Sequence, residues 1–184
     1  MTHPVGVIHG RFQPLHLGHL EYLLAGAQRC ATLVVGITNP DPQQTGFEPT
    51  DTERGRPESN PCTYYERYLM VHGALTDSGI EPSRLHIVPF PHSFPERLRF
   101  YAPQEAVYYL TVYDDWGNTK LRRFHDLGLR TEVMWKRDDK PISGTRVRRA
   151  IAEGTAHWPD LVPDAVAIVI KERGIDERIR AAHD

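Results

Sequence analysis

Short apolar runs alternate along the chain with segments whose apolar residues recur every three or four positions. The runs are rich in β-branched residues, which predicts buried strands at residues 5–9, 32–37, 85–90, 106–113 and 131–135. The segments with helical spacing predict helices at residues 15–30, 63–78, 118–127, 143–152 and 163–173. Strands that alternate with helices indicate βαβ units, so the sequence predicts an α/β fold with a parallel sheet.

This order of elements favours a Rossmann-like, doubly wound, parallel five-stranded sheet followed by C-terminal helices. The length of 184 residues fits a single domain, with an α/β core at residues 1–140 and a C-terminal helical part at residues 141–184. Residues 38–59 hold four prolines and many charges, which predicts a long loop of the kind that is often functional. Ligands of such sheets bind beyond the carboxyl ends of the strands, so the loop after the first strand is the expected site.

Local signals predict where several helices begin and end. Thr63 and Glu66 are spaced as a capping box, in which each side chain satisfies a backbone amide of the other. Pro163 suits the first position of a final helix. Glycines are expected to end three of the helices: Gly79, Gly128 and Gly174.

The composition limits which binding partners and which cellular compartment we expect for the protein. The formal net charge is −2 and the pI about 6.5, so duplex nucleic acid is not expected as a main partner. No apolar run is long enough to span a bilayer, and the first residues lack the pattern of a signal peptide. Two distant cysteines without a CxxC pair favour a reducing compartment, and we expect a cytoplasmic protein.

The predicted turn after the first strand carries an anion-binding pattern. Gly10 and Gly18 would let a phosphate approach the backbone, and the amides at the following helix start attract negative charge. His16 and His19 share a helix face, and Arg11 adds a planar positive charge beside them. A zinc site is the less favoured alternative, because the pair lacks a nearby third ligand. A merely solvated helix start does not explain the glycines and the arginine together.

A second anion-binding pattern follows the last predicted strand. Ser143 suits a helix N-cap, and Thr145 adds a hydroxyl near the exposed amides of the helix start. Arg148 and Arg149 lie about one turn into this helix, where a polyphosphate would meet both guanidiniums. Taken alone, the pattern slightly favours a basic, solvated helix face.

The two segments together resemble the signatures of the HxGH nucleotidylyltransferases. The first segment is Gly10-Arg-Phe-Gln-Pro-Leu-His-Leu-Gly-His19, and the second, Ile142-Ser-Gly-Thr-Arg-Val-Arg-Arg149, is similar to the ISxTxxR signature. The first is most similar to the archaeal-type nicotinamide mononucleotide adenylyltransferases. The resemblance implies transfer of a nucleoside monophosphate from a triphosphate to a small phosphorylated acceptor, with release of pyrophosphate. It implies Mg²⁺ bound mainly through the triphosphate, and four catalytic residues: Arg11, His16, His19 and Arg148.

The same resemblance implies further contacts to the nucleotide. Residues 60–67 are similar to the helix opening of the family, and Gly117 and Asn118 to its glycine–asparagine contact after the fourth strand. Asp114 and Asp115 would be near metal or ribose there, although such a pair more often caps a helix. The implied nucleotide and phosphate contacts are Gly10, Phe12, Gly18, Arg54, Arg56, Gly117, Asn118, Ser143, Thr145 and Arg149.

The acceptor remains open between two chemistries. Relatives that bind nicotinamide mononucleotide carry Asn-x-x-Trp after the third strand, whereas residues 92–101 contain no Trp. One interpretation is adenylyl transfer from ATP to that mononucleotide, giving NAD. The other is cytidylyl transfer from CTP to a small phosphonate such as phosphonoformate, in natural-product biosynthesis. Phe94, Phe100 or Tyr101 could stack on a nicotinamide ring, whereas Arg97 and Arg99 could hold a smaller, more anionic acceptor.

Two other classes of protein were weighed against this enzyme. A non-catalytic nucleotide sensor could use the same fold, but it has no need of both histidines and both arginine sites. A dinucleotide-dependent dehydrogenase is disfavoured, because no GxGxxG follows the first predicted strand. Relatives of the resembled family often assemble, which leaves a homo-oligomer open.

Overall fold

The computed structural model describes residues 2–41, 55–112, 115–136 and 142–183, which form an α/β fold around one five-stranded sheet. All its pairings are parallel, and the spatial order of the strands is β3-β2-β1-β4-β5. The chain winds outward from β1 to β3 and then returns to β4, so the switch point lies between β1 and β4. The predicted doubly wound sheet is thus confirmed, with strands β1 (His3–Gly10), β2 (Cys30–Thr38), β3 (Leu85–Phe90), β4 (Val107–Val112) and β5 (Arg130–Lys136).

Six α-helices surround or follow the sheet within the described ranges. Short 3-10 turns add to them at Pro57–Ser59, Pro82–Arg84, Pro95–Phe100 and Trp158–Leu161. The helices are α1 (Leu17–Ala27), α2 (Tyr64–Asp77), α3 (Asp115–Asp126), α4 (Gly144–Ala152), α5 (Asp164–Glu172) and α6 (Ile175–Ala181).

Helix ends agree with the predictions where a local signal determines them. The Thr63–Glu66 capping box is present, with both of its hydrogen bonds. Two predicted ends were wrong. Helix α3 begins at Asp115, three residues early, and Pro163 is an N-cap outside its helix. Gly174 does end α5, at a left-handed φ of 61°, but a further helix, α6, starts at the next residue.

Each face of the sheet has its own apolar core, because successive strand residues point to opposite sides. Val7 lies in the cluster that α3 covers, whereas its neighbour Ile8 lies in the cluster covered by α1 and α2. The helices after β5 contribute to this second cluster through Val147, Ile170 and Ile179. Packing on the same face therefore brings the C-terminal helices to the side of the sheet that carries α1.

Candidate active site

The loop between β1 and α1 is anchored by an aromatic ring in the core. Phe12 has a left-handed φ of 51° and is fully buried. Its ring lies so close to Gly10 that a Cβ there would come within 2.7 Å, which explains the glycine. The ring also meets the His19 imidazole edge-on, with 5.0 Å between centroids. The Phe12 side chain therefore supports the loop and His19 from below.

His16 and His19 form a single stacked unit at the start of α1. His16 is the N-cap, and its Nδ1 accepts a hydrogen bond from the backbone N–H of His19 at 3.2 Å. The two rings stack with centroids 3.7 Å apart and planes inclined by 20°. Because Nδ1 of His16 accepts this bond, the neutral ring carries its proton on Nε2, where it can donate to a phosphate oxygen.

The second motif lies directly against the first. Ser143 caps α4 by accepting a hydrogen bond from the backbone N–H of Arg146 at 3.2 Å. The buried guanidinium of Arg148 donates to the carbonyl of Gln13 at 2.7 Å and to the hydroxyl of Thr145 at 3.3 Å. Burial lowers the pKa of Arg148, but an arginine keeps its proton in proteins. The site therefore holds a fixed positive charge beside the histidine loop.

Two glycines make this close approach possible. A Cβ on Gly144 would lie 3.0 Å from the carbonyl oxygen of Gln13 and 3.2 Å from the Arg148 guanidinium. A Cβ on Gly18 would lie 3.3 Å from Nδ1 of His16 and 3.8 Å from the carbonyl of Ile142. The two motifs, separated by more than a hundred residues, thus form one site.

The side chain of Gln13 fastens this loop to the segment before α2. Its amide donates to the Cys62 carbonyl at 2.9 Å and accepts from the Cys62 N–H at 2.8 Å. Burial raises the pKa of the Cys62 thiol to about 12, so this thiol stays protonated and is not a nucleophile. Sequence reasoning missed the pair, because a lone glutamine and a backbone amide leave no pattern.

A buried arginine that sequence reasoning also missed lies beneath the loop. Arg67 is 2% exposed and donates hydrogen bonds to the backbone carbonyls of Arg11, Thr38, Asn39 and Thr63. Burial lowers its pKa to about 10, so it remains charged at neutral pH. Its only sequence signal is the similarity of residues 60–67 to a family helix opening.

The last helix clamps the start of α2. The Arg178 guanidinium holds both carboxylate oxygens of Glu66, at 2.9 and 3.0 Å, and also donates to the carbonyl of Pro61 at 2.6 Å. Burial opposes ionisation of Glu66, but the hydrogen bonds from Arg178 and Thr63 outweigh it and leave its pKa below the ordinary value. The C-terminal helix therefore fixes the segment that holds Gln13.

For several residues implied as nucleotide contacts, the described contacts are with residues outside the two motifs. Arg149 is exposed and pairs with Glu153 at 2.7 Å, on the outer face of α4. Gly117 is buried against Val112 at the end of β4, and with Asn118 it lies inside the first turn of α3. Exposed Arg56 precedes the 3-10 turn Pro57–Ser59. Arg54 and Asp114 lie outside the described residues, and Asp115 is the first residue of α3.

The suggested acceptor residues lie in and beside the 3-10 turn Pro95–Phe100. Their described contacts are local: the Arg97 guanidinium lies 4.9 Å over the Phe94 ring, and Arg99 lies 4.8 Å over Phe100. Phe100 is 71% exposed and Tyr101 42%. Leu98, which is buried between the two arginines, anchors this turn.

The parallel sheet, the histidine pair at its switch point and the arginine of α4 define a nucleotidylyltransferase. Residues 7–150 match the family model described as cytidylyltransferase-like. The chain belongs to that family, and it is an enzyme of the nucleotidyltransferase class. The resemblance inferred from the two motifs is confirmed, and the sensor alternative has no support.

Relatives of known name cover almost the whole chain. Phosphonoformate cytidylyltransferase of Streptomyces viridochromogenes is 76% identical over 176 residues, which is 96% of this chain and 95% of that protein. Nicotinamide-nucleotide adenylyltransferase of Pyrobaculum neutrophilum is 32% identical over 181 residues, 94% of this chain and 90% of that protein. Both chemistries that the sequence left open are thus represented among relatives.

A solved structure shares the fold. It is a bifunctional NMN adenylyltransferase/ADP ribose pyrophosphatase of Francisella tularensis, similar with a TM-score of 0.63 at 16% identity. The match covers 98% of this chain but 52% of the bifunctional protein, so the chain spans about half of its length. At this level of identity, the likeness concerns the fold alone.

Proposed function

We propose that this enzyme transfers a cytidylyl group from CTP to phosphonoformate and releases pyrophosphate. The observation that carries the proposal is the 76% identity to a phosphonoformate cytidylyltransferase across 96% of the chain. The relative named for nicotinamide nucleotide is 32% identical, which supports the shared transfer chemistry more than a shared acceptor.

The proposed reaction is a single in-line displacement at the α-phosphorus of CTP. An ionised phosphonate oxygen of the acceptor forms a bond to this phosphorus, while the bond to the bridging oxygen of the β-phosphate breaks. That oxygen leaves with pyrophosphate, so no proton has to be removed from the nucleophile. Catalysis then depends on alignment and on charge stabilisation rather than on a base.

The described geometry suits this task. The stacked rings of His16 and His19 and the buried guanidinium of Arg148 present hydrogen-bond donors from two sides of one loop. Donors held in place before reaction stabilise the charge that develops on the transferring phosphoryl oxygens, without a cost of reorganisation. We assign this stabilisation to these three side chains and to Arg11.

We further propose that Mg²⁺ enters with the triphosphate. The site offers imidazole and guanidinium groups, which suit phosphate oxygens rather than Mg²⁺, a cation that prefers oxygen ligands. Among the described residues, no group of three or more His, Cys, Asp and Glu side chains is arranged to hold a metal ion. Bound in this way, Mg²⁺ would neutralise charge on the β- and γ-phosphate oxygens.

The segment after β3 supports a small, strongly anionic acceptor. It contains Arg97 and Arg99 and no Trp, whereas adenylyltransferases of this type have a Trp there for the nicotinamide ring. In phosphonoformate the phosphonate phosphorus is bonded directly to the carboxylate carbon, and planar guanidiniums bind both of these groups in pairs of hydrogen bonds. The two arginines flank buried Leu98, which holds the turn that presents them.

The test is pyrophosphate release with four nucleoside triphosphates, each combined with phosphonoformate, with nicotinamide mononucleotide or with no acceptor. We expect the highest kcat/KM for CTP with phosphonoformate, and a CMP–phosphonoformate product by ³¹P NMR. His19→Ala, assayed in parallel, shows whether the signal comes from this site. A preference for ATP with nicotinamide mononucleotide would overturn the proposed substrates, and silence with intact nucleotide binding would favour a sensor.

A cytoplasmic location fits the same proposal. No helix in the described part of the chain is long and apolar enough to cross a membrane. Cys30 and Cys62 are both free and buried, which suits a reducing compartment.

A further inference from the structure

Arg67 joins the ends of two neighbouring strands from inside the protein. Its Nη1 donates to the carbonyl of Arg11, just after β1, at 3.0 Å and to that of Thr38, the last residue of β2, at 2.6 Å. Its Nη2 donates to the carbonyl of Asn39 at 2.8 Å, and its Nε to that of Thr63 at 3.2 Å. The guanidinium thus bridges three separate segments of backbone.

These contacts differ from those of an ordinary buried arginine. Buried guanidiniums usually pair with carboxylates, whereas the hydrogen bonds of Arg67 within the described residues all go to main-chain oxygens. A planar guanidinium that holds several carbonyls at the ends of neighbouring strands sets the relative positions of these carbonyls. With 2% exposure, Arg67 has no access to substrate.

One of the bridged carbonyls belongs to a residue of the proposed site. Holding the Arg11 carbonyl fixes the peptide plane from which the Arg11 side chain departs, one residue before the buried Phe12. The carbonyls of Thr38 and Asn39 fix the chain as it leaves β2 at the same edge of the sheet. An error of about 1 Å in such a frame is enough to cost a hundredfold in rate.

We propose that Arg67 is a positioning residue for nucleotidyl transfer, which aligns Arg11 with the transferring phosphoryl group. The inference rests on the transfer chemistry of the proposed function but not on the identity of the acceptor. It predicts that changes at Arg67 act on kcat, because alignment matters most in the transition state.

The chain provides a matched control at the opposite edge of the sheet. Arg84 also uses its guanidinium to hold three main-chain carbonyls, those of Ala27, Cys30 and Ala31, at 2.8 to 3.1 Å. These carbonyls belong to the last residue of α1 and the first two residues of β2, at the amino end of the strand. Arg84 therefore has the same bonding chemistry without a link to the active-site edge.

The experiment compares Arg67→Lys and Arg84→Lys, because a lysine keeps the charge but cannot span several carbonyls. Both variants are expected to lose some thermal stability. We expect Arg67→Lys to lower kcat by about tenfold or more with the KM for CTP changed by less than about threefold, and Arg84→Lys to leave kcat within about twofold. Arg67→Gln, which retains one donor, serves as the second variant if Arg67→Lys does not fold.

A double mutant distinguishes a role of Arg67 in positioning Arg11 from a general loss of rigidity in the protein. If Arg67 acts through Arg11, then Arg67→Lys should cost less than about threefold in kcat when Arg11 is already alanine. Full additivity of the two losses, or an equal loss of kcat in Arg84→Lys, would overturn the proposal. The assays use the donor and acceptor that the wild-type enzyme turns over fastest. If that acceptor is not phosphonoformate, the proposed substrates are wrong, but the test of Arg67 still holds.

Discussion

The guanidinium of Arg148 donates a 2.7 Å hydrogen bond to the carbonyl of Gln13, a residue 135 positions earlier in the chain. Gln13 is held in turn by its own amide, which exchanges two hydrogen bonds with Cys62. The side chains that we propose to bind phosphate in the two motifs are therefore set against each other by the fold before any substrate arrives. Such preorganisation is what charge stabilisation in phosphoryl transfer requires.

Arg148 and its neighbour Arg149 should contribute very differently to kcat/KM. Arg148 is 6% exposed and bonded to the active-site loop, whereas the Arg149 side chain is 77% exposed and pairs with Glu153. We expect Arg148→Ala to lower kcat/KM by about a hundredfold or more, and Arg149→Ala by less than about threefold. Steady-state kinetics on the two purified variants, with circular dichroism as the folding check, decide the matter. Equal losses would mean that the exposed arginine also reaches the triphosphate.

His19 should matter for chemistry more than for folding. Its ring stacks on His16 and rests on the edge of Phe12, at the start of α1. We expect His19→Ala to reduce turnover by about a hundredfold or more, with the protein still folded. His72→Ala is the control, because His72 is also half-buried and stacked on a ring, that of Tyr68 in α2. Near-wild-type turnover of the His19 variant would remove this residue from the mechanism.

His16 has two tasks that substitution can separate. Its Nδ1 caps α1, and its ring faces His19. His16→Ala loses both, so we expect slower turnover together with a loss of about 1 kcal/mol in the free energy of unfolding. His16→Asn restores a capping group and should recover the stability but not the turnover. Urea unfolding and kcat, measured on both variants, check this split, and recovery of activity by asparagine would show that capping is the main role.

The features that were predicted correctly from the sequence depend on residues that lie close together in the chain. The strands are short β-branched runs, and the capping box depends on two residues three positions apart, Thr63 and Glu66. The motifs around His16 and Arg148 carry their chemistry in adjacent residues. The start of α3 was predicted three residues late, although the pair Asp114–Asp115, a common capping signal, stands in the sequence at the observed start.

The missed features depend on groups that only the tertiary structure brings together. Arg67 binds main-chain carbonyls. Because every residue type has a main-chain carbonyl, no pattern of side chains predicts which residues Arg67 contacts. The same holds for Gln13 with the backbone of Cys62. The Arg178–Glu66 pair spans 112 positions, so it leaves no local pattern in the sequence. The residues that position the candidate site are thus harder to predict from the sequence than the residues proposed to carry its chemistry.

The pair between Glu66 and Arg178 should give the enzyme an acid-sensitive component of stability. The folded-state pKa of Glu66 lies below the ordinary value of 4.5. Its contribution is therefore fully present above about pH 5 and is lost as the pH falls below 4.5 through the lowered value. Glu66→Gln removes this contribution, and we expect a loss of about 1–2 kcal/mol at pH 7. A fully buried pair would cost more, but the Arg178 side chain is 43% exposed.

Urea unfolding from pH 7 to pH 3 should show the wild type and Glu66→Gln converging below about pH 4.5. Glu153→Gln is the control, because the Glu153–Arg149 pair is even shorter, at 2.7 Å, but lies on the surface. This variant should differ from wild type by less than about 0.5 kcal/mol at every pH. A gap between wild type and Glu66→Gln that stayed constant down to pH 3 would mean that the Glu66 carboxylate does not supply the stability. The clamp of α6 on α2 would then depend on packing alone.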